Sequence, residues 1–252
     1  MKIGLIGYGS TGKVIEKEAV ARNIVIAGIY TEQNILTVEN GGEADVFVDF
    51  SAASGVVGNV SVAACLGKPI VIGTTGWNDR LSEVQTLVAG SGIGCVFGSN
   101  FSIGANLFFQ VIAAAARQID TTGLFDVGII ESHHRNKSDS PSGTALSLAN
   151  LVISSGITKK SIVAGNNHDV LDSNELHISS LRVGTVFGEH SVIFDSDNDT
   201  IELKHTAKSR AGFALGALLA AQWITGRPGM FSFSEQFIEI TANLSFNQPT
   251  SR

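Results

Sequence analysis

KIGLIGYGSTGKVIEKEAVA, residues 2–21, decides the fold of this chain. It consists of a short apolar run, a glycine turn at residues 7–12, and a helical pattern. Glycines in such a strand–turn–helix segment allow a tight turn and let a pyrophosphate approach the N-terminus of the helix. We therefore predict a dinucleotide site here, against the alternative of a glycine turn that serves only helix–strand packing. The predicted contacts are Gly7, Tyr8, Gly9, Ser10, Thr11 and Gly12.

The segments that follow alternate between strand and helix patterns as far as residue 102. Strand patterns cover residues 23–30, 44–50 and 94–97, and another begins at Pro69. Such alternation favours a parallel sheet with helices on both faces. It predicts an α/β fold with a Rossmann-type, doubly wound parallel sheet.

From residue 125 the pattern changes. Strand-like segments at residues 125–130, 176–182, 192–195 and 200–206 occur with few helices between them, which predicts a second, α+β domain built on a mixed sheet. A long apolar helix at the C-terminal side and the tail after it are expected to pack back on the first domain. The predicted domains are therefore residues 1–102 plus 210–252, which bind the dinucleotide, and residues 103–209, which bind substrate.

The composition excludes several classes of protein. The 252 residues carry a formal net charge of -6, which disfavours nucleic-acid and anionic-membrane partners. Cys65 and Cys95 lie in apolar surroundings and are expected to be reduced core residues. There is no signal-peptide pattern at the N-terminus and no apolar run of bilayer length, so we expect a soluble, cytoplasmic protein.

Residues 131–146, ESHHRNKSDSPSGTAL, carry the densest group of reactive side chains. A helix that opens with Ser142, Gly143 and Thr144 offers free backbone N–H groups and hydroxyls, which suit a carboxylate or a phosphate. His133, His134 and Lys137 precede it and could donate protons or neutralise a second acidic group. The alternative is a pair of loop histidines on the surface. We predict no metal site, because adjacent residues on an extended backbone point to opposite faces.

This segment closely resembles the E-x-H-H-x-x-K-x-D-x-P-S-G-T-A signature of the 4-hydroxy-tetrahydrodipicolinate (dihydrodipicolinate) reductase family, with Ser140 where members commonly have Ala. The resemblance implies acid/base roles for His133 and Lys137. It also implies that His134, Ser142, Gly143, Thr144 and Arg210 bind the carboxylates of the substrate. Arg210, which precedes a helix, could instead be only a surface charge.

The resemblance extends over nearly the whole chain and implies further cofactor contacts. Segments similar to the family's G-T-T and A-x-N-F-S motifs follow two of the predicted strands, whereas the glycine turn is shorter than the family's usual loop and lacks its Met. Phe101, within the second motif, could instead be a core residue. The implied contacts are Gly73, Thr74, Thr75, Gly98, Ser99, Asn100 and Phe101.

The implied activity is reduction of the dehydrated form of 4-hydroxy-tetrahydrodipicolinate by NADH or NADPH in the diaminopimelate and lysine pathway, in a homotetramer. Glu32, about twenty residues after the last glycine, could accept from the ribose hydroxyls of NADH, and no Arg follows nearby; we therefore predict a slight preference for NADH. Lys13 could still reach the additional phosphate of NADPH. The alternatives are a reductase of another small dicarboxylate and a dinucleotide-sensing regulatory protein without turnover.

Overall fold

A computed structural model describes residues 1–165 and 170–242, which form two compact units. The first consists of Met1–Ile103 together with the segment from Arg210 onward, and the second of Gly104–Ser209. No helix in these ranges is both long and apolar enough to cross a membrane.

The elements are numbered in chain order. The first part of the chain forms β1 (Lys2–Ile6), α1 (Ser10–Val20), β2 (Val25–Tyr30), β3 (Val46–Asp49), α2 (Val56–Cys65), β4 (Ile70–Ile72), α3 (Leu81–Ser91) and β5 (Gly94–Phe97). There follow α4 (Ile103–Asp120), β6 (Asp126–His133), α5 (Gly143–Ser154), β7 (Ser161–Ala164), β8 (Glu175–Arg182), β9 (Glu189–Asp195) and β10 (Thr200–Thr206). The last elements are α6 (Ala211–Ile224), β11 (Gly229–Ser232) and α7 (Phe237–Ala242).

The first unit contains a six-stranded sheet in the order β11-β5-β4-β3-β1-β2, in which every pair is parallel. Its central strands β3 and β4 are buried along their whole length, because helices cover both faces. Helices α1 and α6 supply one apolar core and helices α2 and α3 the other. The predicted Rossmann-type sheet is confirmed.

The second unit contains a five-stranded sheet in the order β10-β9-β6-β8-β7. Strand β6 pairs parallel with β8 and antiparallel with β9, so the predicted mixed sheet is also confirmed. Helices α4 and α5 pack their buried residues on one face of this sheet. Side chains on the other face, among them Ile130 and Leu181, are about half exposed.

Two boundaries differ from the sequence prediction in ways that matter for the site. Strand β6 continues three residues beyond Ile130, so Glu131 and His133 are strand residues rather than residues beyond its end. Strand β9 begins at Glu189, three residues before the predicted strand segment at residues 192–195, so His190 is a strand residue too. Both extensions consist largely of polar residues. They alternate between the two faces of the sheet and form no continuous apolar run, so the hydrophobic pattern does not predict them as strand.

Candidate active site

Strand β6 places Glu131 and His133 on the face of the second sheet that α4 and α5 cover. The strand alternates between buried and more exposed residues, and both of these side chains are buried. The pairing with β9 sets His190 opposite Glu131, and the pairing with β8 sets Arg182 opposite His133. Register therefore gathers four polar side chains from three strands beneath the helices.

Glu131 is the centre of this group, with no exposed surface. Its Oε2 is hydrogen-bonded to Nδ1 of His133. Its Oε1 accepts from Nη2 of Arg182 at 2.7 Å and from the backbone N–H of Ser142 at 3.3 Å. The carboxylate thus connects strand β6 to strand β8 and to the start of helix α5.

Electrostatics in this group favour an ionised Glu131 and a neutral His133. Burial by itself would raise the pKa of Glu131, but the hydrogen bonds from Arg182 and His133 outweigh it and lower the pKa. Burial lowers the pKa of His133, and the positive charges of Lys137 and Arg182 lower it further. The hydrogen bond to Glu131 raises this pKa but does not outweigh the burial. Burial likewise lowers the pKa of His190, to about 4.

Helix α5 begins as the sequence predicts, with Ser142 as its N-cap. The Ser142 hydroxyl accepts from the backbone N–H of Ala145 at 3.2 Å and lies 3.1 Å from Nε2 of His190. Gly143 is exposed and Thr144 partly exposed, so the first turn can be reached by a ligand. Helix α5 therefore presents a positively polarised end that is tied to the Glu131 network.

The loop between β6 and α5 carries Lys137 and His134. Lys137 is paired with Asp139, at 2.7 Å and 3.0 Å between Nζ and the two carboxylate oxygens. The backbone N–H of Lys137 donates to the carbonyl of His134, whose side chain is partly exposed. The structure therefore gathers His133, His134, Lys137 and the start of α5 within the second unit, whereas Arg210 belongs to the first.

In the part of the chain that the structure describes, Glu131, His133 and His190 are the group of three whose ligand atoms lie close enough for a metal ion, within 4.8 Å of one another. Arg182 donates to the same carboxylate, and its fixed positive charge opposes a cation at this point. The residues present fit a hydrogen-bonded proton-transfer group better than a metal centre.

In the first unit, two glycines of the turn at residues 7–12 are required by the packing of the backbone, whether or not a ligand binds. Gly7 has a φ of +87°, and a Cβ there would lie 2.3 Å from the carbonyl oxygen of Phe50. A Cβ on Gly12 would lie 2.3 Å from the carbonyl oxygen of Gly7. Both glycines are explained by close backbone packing.

Gly9 differs, because no described atom beyond its neighbours lies within 4 Å of a Cβ built there. It is the N-cap of α1, and no side chain caps that helix. Ser10 and Thr11, in the first turn, retain some exposure. An uncapped helix end behind an unfilled glycine fits the close approach of a pyrophosphate, so the residues present suit a dinucleotide.

The other residues considered for cofactor binding near this turn are Tyr8 within it, Lys13 on α1 and Glu32 after β2. The hydroxyl of Tyr8 is hydrogen-bonded to Glu16, and Nζ of Lys13 lies 5.8 Å from the centre of the Tyr8 ring. Glu32 is exposed and lies in the turn that follows β2. An isolated antiparallel β-bridge between Thr31 and Asn34 closes this turn.

The turn after β4 is held by a buried carboxylate that the sequence reasoning did not assign to the site. Asp49, fully buried at the end of β3, accepts from the hydroxyl of Thr74 at 2.8 Å and from the Ser51 hydroxyl at 2.7 Å. The Thr74 hydroxyl is therefore used in a structural hydrogen bond, whereas Thr75 is exposed and can be reached by a ligand. At Gly73 a Cβ would lie 2.2 Å from the Phe50 ring, so this glycine serves packing.

The segment after β5 divides in the same way. Phe101 is buried in the core, with its ring centre 4.5 Å from that of Phe233, so only its backbone is left for a ligand. Gly98 donates its N–H to the carbonyl of Ile72 at 3.1 Å. Ser99 is exposed, and the side-chain oxygen of Asn100 accepts from the N–H of Ser102 at 2.9 Å.

Sequence reasoning missed Arg182 and His190 as members of the active-site group and gave Glu131 no role of its own. The available signals were the E-x-H spacing, which puts Glu131 and His133 on one face of a strand, and a His directly after Gly188-Glu189. Arg182 gave no local signal, since only the β6–β8 register brings it to Glu131.

Comparisons with known proteins find the same family of reductases along most of the chain. The sequence model described as dihydrodipicolinate reductase, N-terminus, matches residues 16–101, and the model described as dihydrodipicolinate reductase, C-terminus, matches residues 104–237. A 4-hydroxy-tetrahydrodipicolinate reductase of Christiangramia forsetii is 34% identical over 96% of this chain and 100% of its own length. One from Methanosarcina mazei is 35% identical over 92% of this chain and 88% of its own.

Solved structures show the same fold. A dipicolinate-bound dihydrodipicolinate reductase from Paenisporosarcina sp. TG-14 superimposes with a TM-score of 0.76 at 21% identity, covering 93% of this chain and 98% of that one. An amine dehydrogenase from Mycobacterium smegmatis gives a TM-score of 0.60 at 9% identity, covering 100% of this chain and 97% of that one.

Proposed function

Because the chain belongs to the dihydrodipicolinate reductase family, we propose that it reduces the dehydrated form of 4-hydroxy-tetrahydrodipicolinate to tetrahydrodipicolinate in the diaminopimelate and lysine pathway. The observation that carries the proposal is the buried Glu131–His133 pair beside the exposed start of helix α5. A dinucleotide sensor without turnover would need the Gly9 turn but would have no use for this group.

The substrate is a dicarboxylate, and we assign its binding to the residues around α5. Backbone N–H groups and hydroxyls at the start of the helix attract a carboxylate, and the helix dipole adds to that attraction. His134 and Arg210 supply the remaining donors in this proposal. The residues assigned to carboxylate binding are His134, Ser142, Gly143, Thr144 and Arg210.

Reduction of a conjugated C=N system requires a hydride and a proton. A reduced nicotinamide dinucleotide, when bound, supplies the hydride. In this proposal His133 and Lys137 supply the proton, which stays on the reduced product, and the donor regains a proton from solvent. Burial lowers the pKa of His133, and a bound substrate carboxylate would oppose that effect, because a nearby negative charge favours the protonated imidazole.

We assign cofactor binding to residues 1–102 plus 210–252 and substrate binding to residues 103–209. The open turn at Gly9 supports the first assignment. Glu32 supports a slight preference for NADH, since an exposed carboxylate after β2 can accept from two ribose hydroxyls and repels a 2′-phosphate.

We also propose that the protein is a homotetramer assembled through the second sheet. The face opposite α4 and α5 carries Ile130, Leu181 and Ile193, with the small residues Gly128 and Ser179 among them. An exposed apolar patch of this kind is suited to burial between copies. Light scattering would measure the assembly.

We further propose a reducing, cytoplasmic location. Cys95 is buried as predicted, whereas the prediction that Cys65 is a core residue was wrong, because it is exposed near the end of α2. Its exposed free thiol supports a reducing environment.

Steady-state oxidation of NADH and NADPH with freshly generated 4-hydroxy-tetrahydrodipicolinate tests the activity directly. Turnover with this substrate, and none with other small unsaturated dicarboxylates, is the expected result. Preferred turnover of another dicarboxylate would replace the substrate assignment. Tight cofactor binding with no oxidation of either nucleotide would favour the sensor.

A further inference from the structure

We propose that Glu131 is a positioning residue that fixes which nitrogen of His133 carries the proton and keeps that imidazole able to accept a second one. Arg182 and the N–H of Ser142 hold Glu131 in place. The inference deepens the proposed function and rests on its assignment of His133 as the acid.

The contacts of Glu131 leave its carboxylate one orientation. One oxygen accepts from Arg182 at 2.7 Å and from the Ser142 N–H at 3.3 Å, and the other is bonded to Nδ1 of His133. Arg182 donates through the same Nη2 to the carbonyl of Asp139 at 2.7 Å, which ties it to the loop before α5. The carboxylate is therefore fixed from both sides.

An ionised carboxylate accepts hydrogen bonds and cannot donate them. Nδ1 of His133 must therefore carry a proton, which leaves Nε2 as the nitrogen that gains or loses a proton during turnover. Gly188 lies on that side: a Cβ built there would be 3.1 Å from Nε2. The absence of a side chain at residue 188 keeps Nε2 accessible.

Among residues 1–165 and 170–242, Glu131 is the negative group that acts on the charge of His133. Burial disfavours a positive charge on His133, and so do the charges of Lys137 from the loop and Arg182 from β8; His190 from β9 also faces it, but as a neutral imidazole, because burial lowers its pKa to about 4. Without the carboxylate, the imidazolium form would be opposed from every side. Glu131 therefore sets the upper pH limit of an acid at this position.

The first test compares pH profiles of kcat/KM for the wild type, Glu131→Gln and Glu131→Asp. We expect Glu131→Gln to move the loss of activity at high pH downward by about one pH unit or more, the size of effect that one nearby opposite charge has. Glu131→Asp, which keeps the charge, should recover much of that shift. Glu202→Gln, an exposed carboxylate-to-amide change in the same sheet, should leave the profile unchanged.

Superimposable profiles for the wild type and a folded Glu131→Gln would overturn the inference, as would equal profiles for the Gln and Asp variants. A uniform drop in kcat with no shift in pH would reduce Glu131 to a structural support.

A second measurement needs neither turnover nor a variant. Nitrogen-15 NMR of histidine-labelled wild-type protein reports which imidazole nitrogen is protonated. Neutral His133 should carry its proton on Nδ1, the less common tautomer, and a proton on Nε2 would overturn the inference even if Glu131→Gln failed to fold. The position of this proton does not depend on turnover. The NMR result would therefore test the role of Glu131 even if the enzyme acted on a different substrate.

Discussion

His133 and Lys137 differ in environment although they are four residues apart. His133 is buried at the end of a strand, whereas Lys137 lies in a loop and is paired with an exposed Asp139. The orientation of the His133 imidazole is therefore fixed by the residues packed around it, whereas the Lys137 ammonium group is free to reorient towards a ligand. Separate substitutions should separate these two contributions.

We expect His133→Ala and Lys137→Ala each to lower kcat by about 100-fold or more, since a positioned proton donor typically contributes a factor of 10² to 10⁴. Initial rates at saturating substrate measure the effect. Lys160→Ala, at an exposed position after α5, provides a control for the loss of a surface charge. Near-normal turnover in both active-site variants would end the acid/base assignment.

We predict that the coenzyme preference depends on Glu32. If this carboxylate meets the ribose hydroxyls, NADH is used at least as well as NADPH, and Glu32→Ala shifts the ratio of kcat/KM values towards NADPH. A strong preference of the wild type for NADPH, unaltered by the substitution, would instead indicate that Lys13 or another cation binds the phosphate.

At the scale of elements, the glycine turn before α1 separates ligand binding from packing. Gly9→Ala meets no described atom, so it should leave thermal stability unchanged while raising the KM for the coenzyme severalfold. Gly12→Ala collides with the carbonyl of Gly7 and should lower the melting temperature by several degrees. Calorimetry and coenzyme titration together measure both effects, and equal behaviour of the two variants would contradict this division.

The strands and helices also mark how far sequence can predict this molecule. The glycine turn, the N-cap Ser142 and helix α6 follow from neighbours in the chain, so local patterns predict them. Strands β7 and β11 were missed, because each has four residues and shows no regular alternation between buried and exposed positions. The contact between Glu131 and Arg182 spans 51 residues and depends on strand register, which no local pattern specifies.

For the molecule as a whole, buried histidines make stability depend on pH. Burial lowers the pKa of His190 to about 4, whereas in the unfolded chain the group titrates near 6.5. Between these values the unfolded chain binds more protons, so stability falls as pH drops through this interval, and above it His190 makes no difference. His190 alone should remove about 2 kcal/mol of the free energy of unfolding between pH 7 and pH 5.

Urea unfolding at the two pH values measures this loss. His190→Gln, which can still hydrogen-bond to Ser142 but cannot gain the proton, should reduce the difference without abolishing it, because burial also lowers the pKa of His133 and His205. An unaltered pH dependence in this variant would show that His190 is not the group responsible.

The division of the first unit into two stretches of sequence has a consequence for how the protein is made. Its core joins Ile3, Leu5 and Ile15 to residues of α6 and to Phe233, which lie some 200 positions later in the chain. A ribosome therefore releases all of the second unit before it has supplied the helix that packs on β3, β4 and β5. During synthesis the part of this sheet face that α6 covers is exposed and only α1 shields the rest, whereas the intervening unit already has its whole core. Chaperones that bind the emerging chain should therefore do so through its first hundred residues.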